Sequence, residues 1–469
     1  MRKLWAVART TLREAVRTRT AAVILVVLVA VVVLSPFLLR GADTLTERVQ
    51  LVLNYSLSAV GFLLSILTIF LSTSTLAGDL REKRIETIAT KPIRRWQIVA
   101  GKWVGVMLLN LVLVVVSGVF SYVLVRHVIG RPSLAENDKD EQRLENEVYA
   151  ARHTVDPTPR DFDAMITKEI ERLRAEDKMP KDLTDEQFRR RERVRIQTFF
   201  NSLPPGEARW WTMERVRPAR ADTQLFIRYK LLASGPGEEQ PGDRSILLLW
   251  HLSPEPRWGA PGMVEILTPR PLGDFQEFKV PANVVGPDNR VYVRCQNVDE
   301  RLVYAAFPAK EGIQLLYTAG TFEGNFVRTM LLLLVRLAFL SALGLAAAAL
   351  LSFPVASLFV MFVFICALSV NYFVSLASPV GGTEERVLEG TGREPVYMSP
   401  PFYRLVLRAV AAAVPNFGRY GGVGDLATGK LVSWRLVVRA IVVVGAIYGG
   451  VVMAGGCLYF STRELADVE

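Results

Sequence analysis

The sequence predicts an α-helical polytopic membrane protein with six transmembrane helices and an extracytoplasmic α+β insertion that contains a β-sandwich. Two observations carry that expectation. Apolar residues, 51% of the 469, gather into runs of roughly 20, the length a helix needs to cross the hydrocarbon core. Between residues 129 and 325 those runs stop and a charged block replaces them.

Residues 1–20, MRKLWAVARTTLREAVRTRT, set Leu4, Trp5, Ala8, Leu12, Ala15 and Val16 at helical spacing and stack Arg9, Arg13 and Arg17 on another face. This is the pattern of a cytoplasmic amphipathic connecting helix lying in the membrane interface; a basic flank that only sets topology explains the same charges. Apolar runs then follow at 21–39, 51–77 and 103–128, and again at 330–353, 355–377 and 440–460. Backbone groups in lipid must be satisfied within their own segment, so runs of this length are read as helices.

Lys and Arg bias sets the orientation. Arg2, Lys3, Arg9, Arg13, Arg17 and Arg19 precede the first run, and Arg81, Lys83, Arg84, Lys91, Arg94, Arg95 and Lys102 lie between the second and third. Both segments are expected in the cytoplasm, with the C-terminus, and 129–325 outside an inner (cytoplasmic) membrane. The same count places 379–439 outside, although it carries Arg386, Arg393, Arg404, Arg408, Arg419, Lys430, Arg435 and Arg439. Within it, 399–416 has an apolar stretch too short to cross and is read as re-entrant-like.

The insertion has two characters. Residues 129–215 are expected to be helical: Thr158-Pro159 with Asp161 marks one helix start, and Thr184…Gln187 is a capping box before another. Residues 216–325 hold short runs such as QLFIRYKLL, SILLLW, FQEFKV and RVYVRC between Gly, Pro, Asn and Asp, the spacing of a β-sandwich. Ligand binding, a spacer role and a dimer contact all stay open for it.

The segment 79–102, DLREKRIETIATKPIRRWQIVAGK, repeats Ile85, Ile88 and Ala89 at helical spacing, breaks at Pro92 and re-enters the membrane through Trp96 and Ile98. Here the chain resembles the ABC-2 type permeases of ABC transporters. Their coupling helix, between the second and third spans, has a pattern close to E-x-x-x-G-T-x-E-x-L-L-x-x-P-x-x-R, with a Gly-Lys pair opening the third span. Glu86, Ile88, Ala89, Pro92, Arg95, Gly101 and Lys102 stand at those places, while Asp79, Lys83-Arg84 and the small Ala89 depart from the pattern. The resemblance covers 1–128 and 326–469 and includes the ending Phe460…Arg463-Glu464-Leu465.

The resemblance implies a permease subunit, an exporter, working as a homodimer or heterodimer in contact with membrane lipid. ATP is expected to bind to a separate ABC ATPase subunit, so the chain itself has no enzymatic activity and no cofactor. It implies ATPase coupling through Glu86, Pro92, Arg94 and Arg95, supported by Arg9 and Arg13, and a pathway along the second and fifth spans, where Asn54 and Asn371 are polar. Arg336, inside the fourth apolar run, either faces protein or water or snorkels to the outer headgroups from within about two turns of the boundary. The alternatives are a membrane-anchored extracytoplasmic binding or assembly protein, and an ABC complex that transmits force without translocating substrate.

Other signals point away from chemistry. Residues 424–430, GDLATGK, match G-x-x-x-x-G-K, but Leu431 replaces the hydroxyl that would hold Mg²⁺ and no strand precedes the motif. Arg189-Arg190-Arg191-Glu192-Arg193 is read as a solvated helix face, with no nucleic-acid partner. Cys295, Cys366 and Cys457 form no disulfide framework, and His127, His153 and His251 have no metal-type neighbours. Gly445…Gly449 has the spacing that lets helices approach closely.

Overall fold

The structure, a computed structural model, describes residues 2–17, 20–38, 44–81, 94–129, 138–176, 185–218, 224–234, 245–257, 259–271, 275–299, 304–308, 312–377 and 401–462. The helices are α1 (Arg2–Arg17), α2 (Thr20–Leu38), α3 (Leu45–Arg81), α4 (Arg95–Val123), α5 (Asp138–Arg143), α6 (Phe162–Ala175), α7 (Asp185–Asn201), α8 (Phe322–Leu350), α9 (Phe353–Ala377), α10 (Pro401–Ala413), α11 (Val423–Ala427) and α12 (Trp434–Thr462), the last with a π-helical stretch at Ile441–Gly449. The chain divides into two compact units. One consists of Met1–Ala151, Gly320–Ala377 and Pro400–Glu469; the other is Arg152–Ala319 with Ser378–Ser399, the latter outside the described residues.

Among the described residues of the first unit, five helices, α3, α4, α8, α9 and α12, are long and apolar enough to cross a membrane. The helix α2 is also apolar, 19 residues without a charge. Several helices begin before the apolar runs do. The helix α8 starts at Phe322 rather than at residue 330, because Thr321 caps it by accepting from the Gly324 amide at 3.3 Å. Ser433 likewise caps α12, accepting from the Leu436 amide at 3.2 Å. Hydropathy sees the lipid-facing stretch, whereas caps satisfy the free N–H groups at the helix start and so fix where it begins.

The helix α8 packs against α3, α4, α9 and α12, with Ile69, Phe339, Phe364, Phe417 and Val437 in one of the shared clusters. The close approach to α12 is at Gly456, where an added Cβ would stand 2.7 Å from the Ala346 Cβ; at Gly445 and Gly449 the nearest atoms of α8 would be 4.0 Å away, an ordinary contact. The tight crossing therefore lies beyond the 445–449 pair. Asp140 also corrects the boundary of the insertion. Its carboxylate caps α3, accepting from the Leu45 amide at 2.9 Å and the Thr46 hydroxyl at 2.7 Å, so residues 138–151 belong to this unit.

The second unit is built on strands β1 (Ala150–Val155), β2 (Ser202–Leu203), β3 (Ala208–Met213), β4 (Leu225–Lys230), β5 (Leu232–Ser234), β6 (Ser245–Ser253), β7 (Val264–Pro271), β8 (Phe275–Val280), β9 (Val291–Asn297), β10 (Tyr304–Ala306) and β11 (Ile313–Thr321). They form a four-stranded sheet β1-β11-β4-β8, another β3-β9-β6-β7, and a three-stranded β2-β10-β5. Burial alternates strictly along β9, as a strand with one face in a core requires. Ile227, Tyr229, Phe278 and Leu315 of the first sheet share one cluster with Met213, Leu248, Trp250 and Val293 of the second. Trp250 lies 4.7 Å from the Tyr229 ring and 5.4 Å from that of Phe278, centroid to centroid.

Residues 129–215 are not helical throughout, since they contain β1, β2 and β3 beside α6 and α7. The helix starts behave as their caps suggest: Asp161 accepts from the Ala164 amide at 2.9 Å, while Thr184 lies outside the described residues. The strands escape a hydropathy reading because their buried positions include arginines. Arg152, 1% exposed, makes a two-pronged ion pair with Glu277 at 2.7 and 3.2 Å, and Arg209 donates to the Phe199 carbonyl at 3.1 Å. A buried cation is tolerated only with such partners.

His251 on β6 gives this unit an acid-sensitive element. Burial pushes its pKa below the ordinary 6.5; Glu265, at 3.2 Å, pulls the other way, and Arg294 adds to the lowering. The folded unit therefore binds this proton less readily than the unfolded chain, so the stability present above the ordinary value is lost as pH falls below it. Between about pH 7.5 and about pH 5.5 the melting temperature of the full chain is expected to fall. His251→Gln should flatten this fall, read by tryptophan fluorescence; equal slopes for the two proteins would refute the assignment.

Candidate functional site

The helix α3 ends at Arg81 and α4 begins at Arg95; Glu86 and Pro92, expected to carry coupling, lie outside the described residues between them. What is described is how both ends of that segment are held. Asp79 and Lys102 form an ion pair at 2.5 Å with side chains 11% and 4% exposed. The Lys102 ammonium also donates to the Thr75 carbonyl at 2.8 Å. A buried pair survives only with good geometry and further hydrogen bonds, and Thr75 supplies one, so α3 and α4 are locked together beside the segment.

Arg94 is exposed at the start of α4, and its amide donates to the Gln97 side chain at 3.3 Å. Arg95 bridges two helices. Its Nη1 donates to the carbonyls of Phe460 and Ser461, at 3.3 and 3.0 Å, at the C-terminal end of α12. The last carbonyls of a helix lack intrahelical donors and favour a cation, so Arg95 ties α12 to α4.

The N-terminal helix is seated on this same region. A Cβ on Gly101 would stand 2.7 Å from the Val7 Cβ and 3.0 Å from the Leu4 carbonyl oxygen; one on Gly105 would stand 2.8 Å from both the Ala8 oxygen and the Thr11 Cβ. Two glycines four apart thus form the groove in which α1 crosses α4. Ala8 and Thr11 are buried there, Trp5 is exposed, and Arg9 and Arg13 lie on the exposed side. The face expected to meet the membrane interface meets protein at these two positions. The G-x-x-x-G spacing of GKWVG was the available signal, and it is the same spacing singled out at 445–449.

Residues 5–137, which contain most of α1 and all of α2, α3 and α4, match the family model described as ABC-2 family transporter protein. The match supports an ABC-2 type permease. No curated protein and no solved structure matches the chain significantly. The Asp79–Lys102 pair and the Gly101–Gly105 groove both fall inside the matched segment; α8 to α12 and the second unit fall outside it.

The two polar residues expected along a pathway lie on α3 and α9. Asn54 is half-buried on α3, and Asn371 is exposed on α9, its Oδ1 accepting from the Asn416 side chain at 2.6 Å. Among the described residues no hydrogen bond joins the two, and Asn371 instead holds the reversal that follows α10, where the Phe417 amide donates to the Ala367 carbonyl at 3.2 Å. A polar contact missed at the sequence level lies between α3 and α4: the Thr68 hydroxyl donates to Asn110 Oδ1 at 3.1 Å, both residues being wholly buried.

Arg336 sits midway between Phe322 and Leu350, the ends of a 29-residue helix, or about 21 Å from either end at the α-helical rise. From Met330, where the apolar run opens, it is six residues away, about 9 Å along the helix. Its guanidinium lies over the Phe417 ring, 5.2 Å from the centroid.

The GDLATGK motif closes α11 in a Schellman turn. Gly429, at φ +66°, donates its amide to the Leu426 carbonyl at 3.1 Å, and the Lys430 amide donates to that of Asp425 at 2.7 Å. These amides, which a phosphate-cradling loop would offer to a ligand, are consumed by the end of the helix.

Proposed function

We propose that the permease is the transmembrane subunit of an ATP-driven ABC exporter, a homodimer or heterodimer working with a separate ABC ATPase. In this reading ATPase closure pushes the 82–93 segment. The observation that supports it is the anchoring of both ends: Asp79–Lys102 joins α3 to α4, and Gly101 with Gly105 seats α1. A push there is delivered to several helices at once. ATP binds the partner, and the chain carries no cofactor of its own. The helix α2 adds a sixth span; both termini and 82–93 face the cytoplasm of an inner membrane, and Arg152–Ala319 is an extracytoplasmic domain whose two larger sheets form a β-sandwich. The helix α10 is re-entrant or interfacial. Glu86, Arg94, Arg95, Arg9 and Arg13 serve the coupling to the ATPase, and Pro92 ends the coupling helix.

Glu86→Arg tests the coupling. A reversed charge in an ATPase groove costs about 2–5 kcal/mol, so co-purification with the ATPase or stimulated ATP turnover should fall by roughly 30-fold or more while membrane insertion is kept. Wild-type values for both would sink the reading. A second reading, force transmission without translocation, is favoured by the separate core of the second unit. ATP-dependent accumulation of solute or lipid in reconstituted vesicles would exclude it.

A further inference from the structure

We propose that Arg336 is the headgroup site for an amphipathic anion, a phosphate or carboxylate carried on an apolar chain, reached along Phe62, Phe364 and Phe417. As the substrate class of the exporter this rests on the permease reading; as a binding site it does not.

Arg336 lies at the middle of α8. Counted from Met330, where the apolar run opens, it lies six residues, about 9 Å, inside the run. A cation at that depth normally faces protein or water and marks a pathway. The guanidinium has N–H donors fanned in a plane suited to one carboxylate or phosphate. Among the described residues none forms an ion pair with Arg336 or accepts a hydrogen bond from its side chain; its partner is the face of Phe417. The ring quadrupole compensates one face of the ion and leaves the N–H edge unmatched.

The surroundings select the rest of the ligand. Gly61 of α3 opens space beside the cation: a Cβ there would stand 3.4 Å from Leu333 Cδ1 and 3.9 Å from Arg336 Nη1. Phe417 adjoins Phe364 at 6.2 Å, and Phe364 adjoins Phe62 at 5.9 Å, centroid to centroid. Phe62 is 47% exposed, so the aromatic row runs from the guanidinium to the outer surface of the helical unit. Arg336 is itself only partly buried. A free small anion would meet only the ionic part of this site, whereas an anion on an apolar chain fills both the ionic and the aromatic part.

The test is native mass spectrometry of the purified full chain in neutral detergent, without the ATPase, with dioleoyl phosphatidic acid, dioleoylglycerol or inorganic phosphate added at equal concentration. Retention of phosphatidic acid alone is expected, with occupancy falling about tenfold or more in Arg336→Gln and held in part by Arg336→Lys. Gly61→Val keeps the charge, narrows the space and should also reduce occupancy, which covers the case in which Arg336→Gln does not fold. Undiminished phosphatidic acid occupancy in these variants overturns the proposal. So does retention of dioleoylglycerol or of inorganic phosphate at the level of phosphatidic acid. Because the ATPase is absent, these failures are distinct from a failure of the Glu86→Arg test.

Discussion

Gly105→Leu is expected to lift α1 off α4 while the remaining helices stay folded and, in the proposed reading, to uncouple the chain from a partner ATPase. The first atom of a new side chain would already stand 2.8 Å from the Ala8 carbonyl oxygen and from the Thr11 Cβ. One of these is backbone, so no rotamer change relieves the clash and the whole of α1 must move. Overpacking of this kind costs about 1–3 kcal/mol in well-packed cores, and a leucine adds three more carbons than the Cβ alone. Few positions hold α1, whose side chains are exposed at Trp5, Arg9 and Arg13. The readouts are maleimide labelling of Ala8→Cys, with Cys457 replaced by serine, and ATP turnover with the ATPase. Labelling should rise from protected to complete, turnover should fall about tenfold, and Gly105→Ala should lie between. Continued protection of position 8 with normal turnover would show that α1 is not held by this groove.

The second large effect concerns the pair beside the segment. Asp79→Asn or Lys102→Met alone should lower stability by about 3–5 kcal/mol, because each leaves an uncompensated charge in a site that excludes water. Lys102→Met also removes the donor to Thr75. The double variant has no charge to strand and should recover most of the loss, so the cycle yields a coupling energy of several kcal/mol, on the order of 2–4. Denaturation in detergent, followed by the signal of Trp103 on α4, measures it. Strictly additive losses would mean that the two residues act on stability separately. If the pair also transmits the push, the double variant will be folded yet poorly stimulated, which separates its structural role from its coupling role.

Much of the helical unit was legible because the signal is local. Lipid exposure selects apolar side chains one residue at a time, so windows of roughly 20 residues reveal α3, α4, α8, α9 and α12. Arg9 and Arg13 could be placed on an exposed face from spacing alone, because the helical period assigns faces without reference to a partner. The strands β1 and β3 were not legible. Arg152 and Arg209 interrupt their apolar pattern, and what makes them core residues is Glu277 and the Phe199 carbonyl, the former 125 residues away from Arg152. Asp140 was assigned to the insertion for the same reason: its partners, Leu45 and Thr46, precede it by more than 90 residues.

The sequence by itself determined that this is a chain of apolar helices interrupted by a charged β-rich block, with a basic amphipathic start and a permease-like segment between the second and third apolar runs. Those properties follow from composition and period, which are written in consecutive residues. Only the tertiary structure decided that Arg95 serves the end of α12, that Gly101 and Gly105 form a groove for α1, and that Arg336 faces Phe417 beside Gly61. Each depends on which surfaces meet. A charge, a glycine or an aromatic ring takes its role from the group opposite it, and in these cases that group comes from a segment far away in the chain.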